Sequence, residues 1–298
     1  MSNRKTSPFI TKLSGYGFRR AERLFQTRSQ ERAERLGAKL GDLGWRVDKK
    51  HRYRTLANVE LAYPELSPAE RETMAHEVWR HFGRTTADFM RADIRTPEDV
   101  LSSIVEVEGW EFAEEALSRG KGVLLISAHF GNWERMSHYL GLRGMPLTVV
   151  ARAANNEVIE DGMQRKRLAE GVEVLNRGDT TRTLLRRLSE GRVAGLLPDQ
   201  NCEESFLPFF GHLTGTVTGP AILHLRTEAP LLPAFCPQVG PGKWKVVVRP
   251  PVDLPNENSP EEIMTAVNAV LEAIIRQYPT QWLWMHDRWK SARIGGML

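Results

Sequence analysis

The sequence predicts an α/β protein with a mixed, mostly parallel central sheet flanked by helices and preceded by an N-terminal helical region. Short apolar runs, typical of strands buried on both faces of a sheet, alternate with helical patterns from about residue 110 onward. Upstream of this alternation, the pattern from about residue 17 to about residue 91 is helical. Strands separated by helices imply a sheet that lies between helical layers.

The N-terminal helices are predicted over about residues 17–43, 50–62 and 68–91. The third begins at Ser67-Pro68-Ala69-Glu70, where serine is an N-cap and proline takes the first helical position. In the alternating part we expect, in order and to within about two residues, helix 110–119, strand 122–127, helix 132–142, strand 147–151, helix 156–170, strand 172–175, helix 179–190, strand 193–197, helix 219–227, strand 230–236, strand 244–248 and a Ser259-capped helix to 277. We therefore expect a basic helical region over residues 1–95 and a domain over residues 96–298, packed as one globular unit.

Charge is distributed unevenly along the chain. Residues 1–54 contain 15 Lys or Arg and 5 Asp or Glu, a net charge of +10, whereas the remaining 244 residues sum to −6. Apolar side chains are interspersed with the basic ones between Phe9 and Phe25, which favours an anionic membrane surface as the partner of this segment. A solvated basic helix is the alternative. Nucleic acid is not expected as a partner, because zinc-finger, ribonucleoprotein and basic-zipper motifs are missing.

The lengths of the apolar stretches indicate whether the chain could span a membrane. No stretch approaches the roughly 18–20 apolar residues that a spanning helix needs, and the N-terminus lacks the apolar region of a signal peptide. We therefore expect the protein to lie on a membrane and not to span it.

A strand that runs into a histidine marks the candidate active site. Val123–Ile126 is followed by His129, and Glu134 comes five residues later; α/β folds place their chemistry at such strand ends. Gly131 and Asn132 favour a turn and an N-cap, so the next helix would carry Glu134 in its first turn. A carboxylate on one imidazole nitrogen fixes the tautomer and leaves the other nitrogen free to accept a proton from a hydroxyl. On spacing alone, a capping histidine beside a solvated glutamate is the alternative.

Several blocks of the chain are similar to the motifs of one enzyme family. Ser127-Ala128-His129-Phe130-Gly131-Asn132-Trp133-Glu134 resembles the H-x4-[DE] motif of glycerolipid and lipid A acyltransferases, and in particular the late acyltransferase branch. Further blocks resemble the family's other motifs in the expected order: Asn58-Val59-Glu60-Leu61-Ala62-Tyr63-Pro64-Glu65-Leu66, Gly195-Leu196-Leu197-Pro198-Asp199-Gln200-Asn201, Leu207-Pro208-Phe209-Phe210-Gly211 and Gln281-Trp282-Leu283-Trp284-Met285-His286-Asp287-Arg288-Trp289-Lys290. The resemblance covers roughly residues 35 to 293.

This resemblance implies a glycerolipid acyltransferase-like fold, with the catalytic domain over residues 96–298. It implies transfer of a fatty acyl chain from an acyl carrier protein or coenzyme A thioester to a hydroxyl of a lipid A precursor, with His129 as general base and Glu134 as the group that orients it. No cofactor beyond the thioester co-substrate is implied, and no covalent acyl-enzyme, which fits the absence of a G-x-S-x-G motif. The implied location is peripheral, on the cytoplasmic face of the inner membrane, although many relatives carry an N-terminal membrane helix.

Four alternatives remain. Two keep the chemistry and change the acceptor, to a phosphatidylinositol mannoside or to a lysophospholipid. Glu134 makes a lysophospholipid acceptor less favoured, because aspartate is more common at this position in the lysophospholipid acyltransferases. The third alternative is of a different class, a non-catalytic membrane-peripheral binding protein with the same fold. The fourth is a nucleic-acid binder, which a steep salt dependence with duplex DNA and no binding to anionic vesicles would favour.

Four further residues are candidates for substrate binding. Asp199 follows a predicted buried strand, where a carboxylate is either a structural acceptor or an acidic wall of a site. The resemblance favours the active site for Asp199, as a second partner of the base or a contact to the acceptor, and includes its neighbour Gln200. Arg152 follows a strand and Arg177 precedes a helix, positions that suit a phosphorylated acceptor or a phosphopantetheine. Surface ion pairing is the alternative for both arginines.

Two groups of residues are interpreted conservatively. Trp282, Trp284 and Trp289 are more typical of a core than of a membrane-interface belt or an acyl-pocket wall. The histidines and the two cysteines, Cys202 and Cys236, lack metal-ligand spacing, so no metal is expected.

Overall fold

The computed structural model describes residues 8–145, 147–151, 156–169, 171–176, 180–254 and 259–298. In this part of the chain the N-terminal region forms the helices α1 (Pro8–Gln26), α2 (Gln30–Val47), α3 (Lys49–Ala62) and α4 (Pro68–Phe89). Helix α4 starts with the expected capping box, in which Ser67 and Glu70 exchange side-chain and backbone hydrogen bonds.

The single helix predicted over residues 17–43 is wrong, because the chain breaks between α1 and α2. Ser29 has an extended backbone (φ −61°, ψ 157°) and takes the N-cap position of α2, where serine is favoured. The Thr27 hydroxyl donates to the carbonyl of Arg23 (2.9 Å) at the end of α1. The extended backbone at Ser29 therefore separates the two helices inside a continuous helical pattern, although the Ser29 side chain makes no capping hydrogen bond.

The predicted alternation of strands and helices is confirmed. The elements are α5 (Pro97–Ser103), β1 (Ile104–Glu108), α6 (Trp110–Ser118), β2 (Val123–Ile126), α7 (Trp133–Leu142), β3 (Leu147–Ala151), α8 (Glu157–Ala169), β4 (Glu173–Asn176), α9 (Thr180–Ser189), β5 (Val193–Leu196), β6 (Ser205–Phe209), β7 (His212–Thr216), α10 (Gly219–Thr227), β8 (Leu231–Phe235), β9 (Gln238–Gly240), β10 (Lys243–Val248), α11 (Pro260–Gln277) and α12 (Lys290–Ile294), with 3-10 turns at Ala92–Ile94 and Pro279–Gln281.

The sheet is mixed and mostly parallel, as predicted. Within the described residues its strand order is β1-β10-β8-β2-β5-β3-β4, with β9 paired to β10. The central pairs β8-β2, β2-β5, β5-β3 and β3-β4 are parallel, and β10 is antiparallel to β8. The ends of β2 and β5 therefore lie side by side.

Some elements were not predicted. β1 is a short edge strand, and β6 and β7 form a separate hairpin. The turn of this hairpin is Phe210-Gly211, with positive φ at both residues, which matches the twist that a two-residue hairpin requires. A buried phenylalanine is an unusual residue for that conformation, so turn chemistry alone did not reveal the hairpin.

β2 is buried on both faces, and each face belongs to a different hydrophobic cluster. Leu124 and Ile126 pack into the first cluster, while Val123 and Leu125 pack into the second. The first cluster also contains Phe130 from the turn after β2, Val59, Trp79 and Phe82 from the N-terminal helices, and Trp282 and Trp284 from the C-terminal segment. A core shared with the sheet thus anchors α3 and α4, although the domain boundary near residue 95 stays a prediction.

None of the described helices is long and apolar enough to cross a membrane.

Candidate active site

The turn between β2 and α7 carries His129. Asn132 caps α7 as predicted, because its side-chain oxygen accepts the backbone N–H of Arg135 (3.0 Å). Gly131 has φ +57°, and a Cβ at this position would lie 2.2 Å from the carbonyl oxygen of Cys236. The turn therefore requires glycine, both for its backbone conformation and for the close approach of a neighbouring chain segment.

His129 and Asp199 meet because their strands are parallel neighbours. Ile126 pairs with Leu196 at the ends of β2 and β5. Asp199 Oδ1 lies 2.8 Å from His129 Nδ1, and Oδ2 accepts the backbone N–H of His129, also at 2.8 Å. The ends of the two strands that carry these motifs therefore meet at one edge of the sheet.

The contact with Asp199 determines which imidazole nitrogen is basic. An ionised carboxylate only accepts hydrogen bonds, so Nδ1 of His129 carries the hydrogen and Nε2 keeps the lone pair of the neutral ring. The His129 side chain is 22% exposed, whereas that of Asp199 is 2% exposed. The side-chain nitrogen of Gln200 lies 3.5 Å from Nε2. This arrangement leaves Nε2 available to a substrate hydroxyl.

The pair shifts both protonation equilibria toward the charged forms. Burial alone favours the neutral acid, but the charge and hydrogen bonds of His129, with the indole hydrogen bond of Trp282, lower the pKa of Asp199 to about 2. Burial likewise disfavours the imidazolium, yet attraction to Asp199 and, more weakly, to Glu134 leaves the pKa of His129 above its usual value. The imidazolium that forms when His129 takes a proton is therefore stabilised.

Glu134 lies in the first turn of α7, as predicted, but its carboxylate has a different partner from the one expected. Among the described residues no hydrogen bond joins it to His129, since Asp199 takes Nδ1 and the Glu134 carboxylate accepts two hydrogen bonds from Arg167 of α8, at 2.5 and 3.1 Å. The direct hydrogen bond that we expected from Glu134 to His129 is thus absent. The first turn of α7 directs Glu134 toward α8, while Asp199 reaches the imidazole from the neighbouring strand.

The remaining predicted substrate-binding residues are only partly accounted for. Gln200 is exposed beside His129 Nε2, and its contact with substrate stays a prediction. Arg152 and Arg177 lie outside the described residues.

Comparison with known proteins decides the family. Residues 24–291 match the model of the bacterial lipid A biosynthesis acyltransferase family. The chain belongs to this family. The prediction of an O-acyltransferase is thereby confirmed at the level of the family.

The relatives of this acyltransferase are named for different acyl groups and different acceptors. A lipid A biosynthesis lauroyltransferase of Escherichia coli is 29% identical over 86% of this chain and 85% of the relative. A lipid A biosynthesis palmitoleoyltransferase of the same organism is 25% identical over 87% and 85%. A phosphatidylinositol mannoside acyltransferase of Mycolicibacterium smegmatis is 30% identical over 60% of this chain and 63% of the relative.

The C-terminal motif of this acyltransferase supports the active site in ways that sequence reasoning missed. The indole N–H of Trp282 donates to Asp199 Oδ2 (2.9 Å). The guanidinium of Arg288 is buried and donates to the carbonyls of Gln200 and Gly215; burial lowers the pKa of Arg288 to about 10. The motif was recognised from the sequence, but nothing local indicates which of its side chains reach Asp199 and the loop after it.

The structure places the three tryptophans of the C-terminal motif and the side chains that could bind a metal. Trp282, Trp284 and Trp289 are at most 1% exposed and lie in the core, as favoured. Within the described residues, no group of three His, Cys, Asp or Glu side chains is placed to hold a metal ion.

Proposed function

We propose that this protein transfers a fatty acyl chain from a thioester to a hydroxyl of a lipid A precursor, with His129 as general base. The observation that carries the proposal is the His129–Asp199 pair at the ends of β2 and β5, in which Asp199 takes Nδ1 and the His129 side chain is 22% exposed. Membership of the lipid A biosynthesis acyltransferase family supports the acceptor.

The proposed reaction is a direct transfer. Nε2 of His129 takes the proton of the acceptor hydroxyl while the oxygen attacks the thioester carbonyl, which forms a tetrahedral oxyanion. The intermediate then expels the thiolate, which receives the proton held by His129 and leaves as a thiol. The new ester and the free thiol account for all atoms, and no acyl group is carried by the protein.

Asp199 and Glu134 have different proposed roles in this reaction. Asp199 orients the imidazole and stabilises the imidazolium, because it contacts Nδ1 directly. Glu134 acts on His129 through its charge, which raises the pKa of His129 to a smaller extent than Asp199 does. Arg167 holds the Glu134 carboxylate by two hydrogen bonds, so that the charge is fixed near the base. Glu134 therefore stays in the catalytic proposal, without the direct hydrogen bond.

The identities of donor and acceptor are part of the proposal. The donor is an acyl carrier protein or coenzyme A thioester, without a further cofactor. Arg152, Arg177, Asp199 and Gln200 are the proposed contacts to the substrates. The second candidate acceptor is a phosphatidylinositol mannoside, favoured by the 30% identity to an enzyme of that name.

We further propose peripheral attachment to an anionic membrane, on its cytoplasmic face. The end of α2 and the start of α3 expose apolar side chains, with Leu43 53%, Val47 68% and Tyr53 66% exposed. Basic side chains, Arg46, Lys49 and Lys50, are exposed between them. Apolar side chains in a basic surrounding are typical of interfacial membrane binding.

The attachment can be tested with the charge-reversed variant Lys49→Glu/Lys50→Glu and vesicles of phosphatidylglycerol and phosphatidylethanolamine. Each lysine near an anionic surface contributes about 1 kcal/mol, so we expect vesicle affinity to fall on the order of tenfold or more. Arg119→Glu, on the surface after α6, is the control. Equal binding by both variants would contradict this docking surface.

The proposed function is tested by acyl transfer from a panel of acyl carrier protein and coenzyme A thioesters to lipid A precursor, phosphatidylinositol mannoside and lysophospholipid acceptors. We expect one acceptor class to be acylated, and His129→Ala and Glu134→Ala to lose activity by about 10² to 10⁴-fold. His224→Ala is the matched control, because His224 bonds a backbone carbonyl after α10. No transfer to any acceptor, or full activity of His129→Ala, would refute the mechanism and favour a binding protein.

A further inference from the structure

We infer that Asp88 on α4 is a positioning residue for the catalytic turn, acting through Asn132 and Arg135. The inference rests on the proposed function, because it assigns Asp88 to the support of His129 as a base. Asp88 lies on α4, 41 residues before His129 in the sequence, whereas His129 lies in the turn between β2 and α7. It belongs to the N-terminal helical region, for which the sequence indicated only membrane association.

Asp88 is fully buried and receives hydrogen bonds from the start of α7. Its Oδ2 accepts the side-chain N–H of Asn132 (2.6 Å) and Nε of Arg135 (3.2 Å), and its Oδ1 accepts Nη2 of Arg135. Nη1 of Arg95 lies 2.9 Å from Oδ2, and the side chain of Gln30 donates to Oδ1 (2.8 Å). One carboxylate thus connects α2, α4 and the start of α7.

The Asn132 amide transmits this contact to the turn. Its oxygen caps α7 on the N–H of Arg135, while its nitrogen donates to Asp88. A side chain that is bonded at both ends has one orientation, so the first turn of α7 is fixed relative to α4. His129 is three residues before Asn132, and a displacement of about 1 Å at a catalytic group can cost on the order of 10²-fold in rate.

Other segments hold the backbone of the turn, while Asp88 holds the helix that follows it. The N–H of Gly131 donates to the carbonyl of Gln281, and the N–H of Asn132 donates to the carbonyl of Cys236, both at 2.8 Å. The Gly131 carbonyl accepts Nε2–H of His81 at 3.3 Å; burial lowers the pKa of His81 to about 3, so that ring is neutral. These bonds fix the backbone of the turn, whereas Asp88 fixes the helix that continues from it.

Electrostatics make the carboxylate difficult to replace. Two largely buried guanidiniums, those of Arg95 and Arg135, converge on Asp88. Although burial favours the neutral acid, Arg135 and then Arg95 hold the pKa of Asp88 far below its usual range. An asparagine at this position has the same shape but presents an N–H to one of these donors, so Asn132 and Arg135 must shift. Removing one member of a buried ion pair leaves its partner charge uncompensated.

The test uses two variants that act on the same hydrogen bond. Asp88→Asn removes the charge, and Asn132→Ser keeps an N-cap oxygen but removes the donor to Asp88. Glu173→Gln is the control, since Glu173 is another arginine-bound carboxylate but pairs with Arg187 at β4, outside the turn. We expect both test variants to lower kcat about 10- to 100-fold with KM for donor and acceptor within about threefold, and the control to keep wild-type kcat.

Two further readouts separate positioning from a purely structural role. In the folded variants, NMR titration of the His129 ring should show a pKa below that of the wild type, because a displaced His129 loses part of its contact with Asp199. The double variant Asp88→Asn/Asn132→Ser should lose no more activity than the more impaired single variant, because both interrupt one bond. An unchanged His129 pKa, additive losses, or an activity loss that only follows the folded fraction measured by circular dichroism would overturn the inference.

These outcomes are distinguishable from failure of the proposed function. If His129→Ala retains activity, the general-base mechanism fails whatever the Asp88 variants do. If His129→Ala is inactive and the Asp88 variants have normal kcat and a normal His129 titration, the mechanism stands and the role of Asp88 fails.

Discussion

Two buried carboxylates support the turn after β2, and they differ in what they contact. Asp199 contacts the imidazole and the backbone N–H of His129, whereas Asp88 contacts the N-cap residue and Arg135 of the following helix. Each is charged because of its partners, a histidine for Asp199 and two arginines for Asp88. In the proposed mechanism the two carboxylates therefore have different tasks: Asp199 acts on the protonation of His129, and Asp88 acts on its position.

Glu134 is a third carboxylate near His129, and it differs from both Asp199 and Asp88 in what it contacts. It is in the recognised motif and near His129, yet its hydrogen bonds go to Arg167. Its charge affects His129 less than that of Asp199 does. Motif membership alone therefore does not identify the carboxylate that pairs with the base.

The largest effect is expected for Asp199→Asn. The amide cannot stabilise the imidazolium, so we expect kcat to fall on the order of 10³ to 10⁴-fold, by analogy with the aspartate of a serine protease triad. Asp199 raises the pKa of His129, and the base must be neutral to accept a proton, so the acid limb of the kcat/KM profile should move to lower pH in the variant. A pH–rate profile measures both effects. An acid limb at the wild-type pH would contradict the pairing.

A smaller effect is expected for Glu134→Gln. We expect a loss of activity on the order of 10²-fold and a downward shift in the acid limb that is smaller than that of Asp199→Asn. The reason is that Glu134 acts on His129 through its charge and without a hydrogen bond. The same pH–rate profiles serve as the measurement. If Glu134→Gln moves the acid limb more than Asp199→Asn does, the ranking of the two carboxylates is wrong.

The last expected effect, measured as a change in stability, is that of Gly131→Ala. Alanine at φ +57° would also meet the Cys236 carbonyl, so we expect a loss of about 1–3 kcal/mol in the free energy of unfolding. Gly144→Ala is the matched control, since Gly144 has φ +82° with no atom within 4 Å of the added Cβ, and it should lose less. Urea unfolding of both variants provides the values. Equal losses would show that backbone conformation alone, and not the close approach to Cys236, makes glycine necessary.

Local patterns predicted much of this molecule. The apolar run of β2, the glycine and asparagine after it, and the Ser67 capping box each depend on a few neighbouring residues, and each lies where expected. Local patterns did not predict two features of the fold, the helix break at Ser29 and the hairpin turn at Phe210. The break at Ser29 was hidden in a continuous helical pattern, and the hairpin turn at Phe210 uses a residue rarely found with positive φ.

What the sequence by itself determined is the fold class, the acyltransferase family and the histidine that acts as candidate base. What only the tertiary structure decided is the choice of partners: Asp199 on His129, Arg167 on Glu134, and Asp88 on Asn132. The physical reason is the range of each interaction. Strands and caps form from contacts within a few residues, whereas these pairs join residues between 33 and 70 positions apart and depend on the order of strands in the sheet and on the packing of α4 and α8.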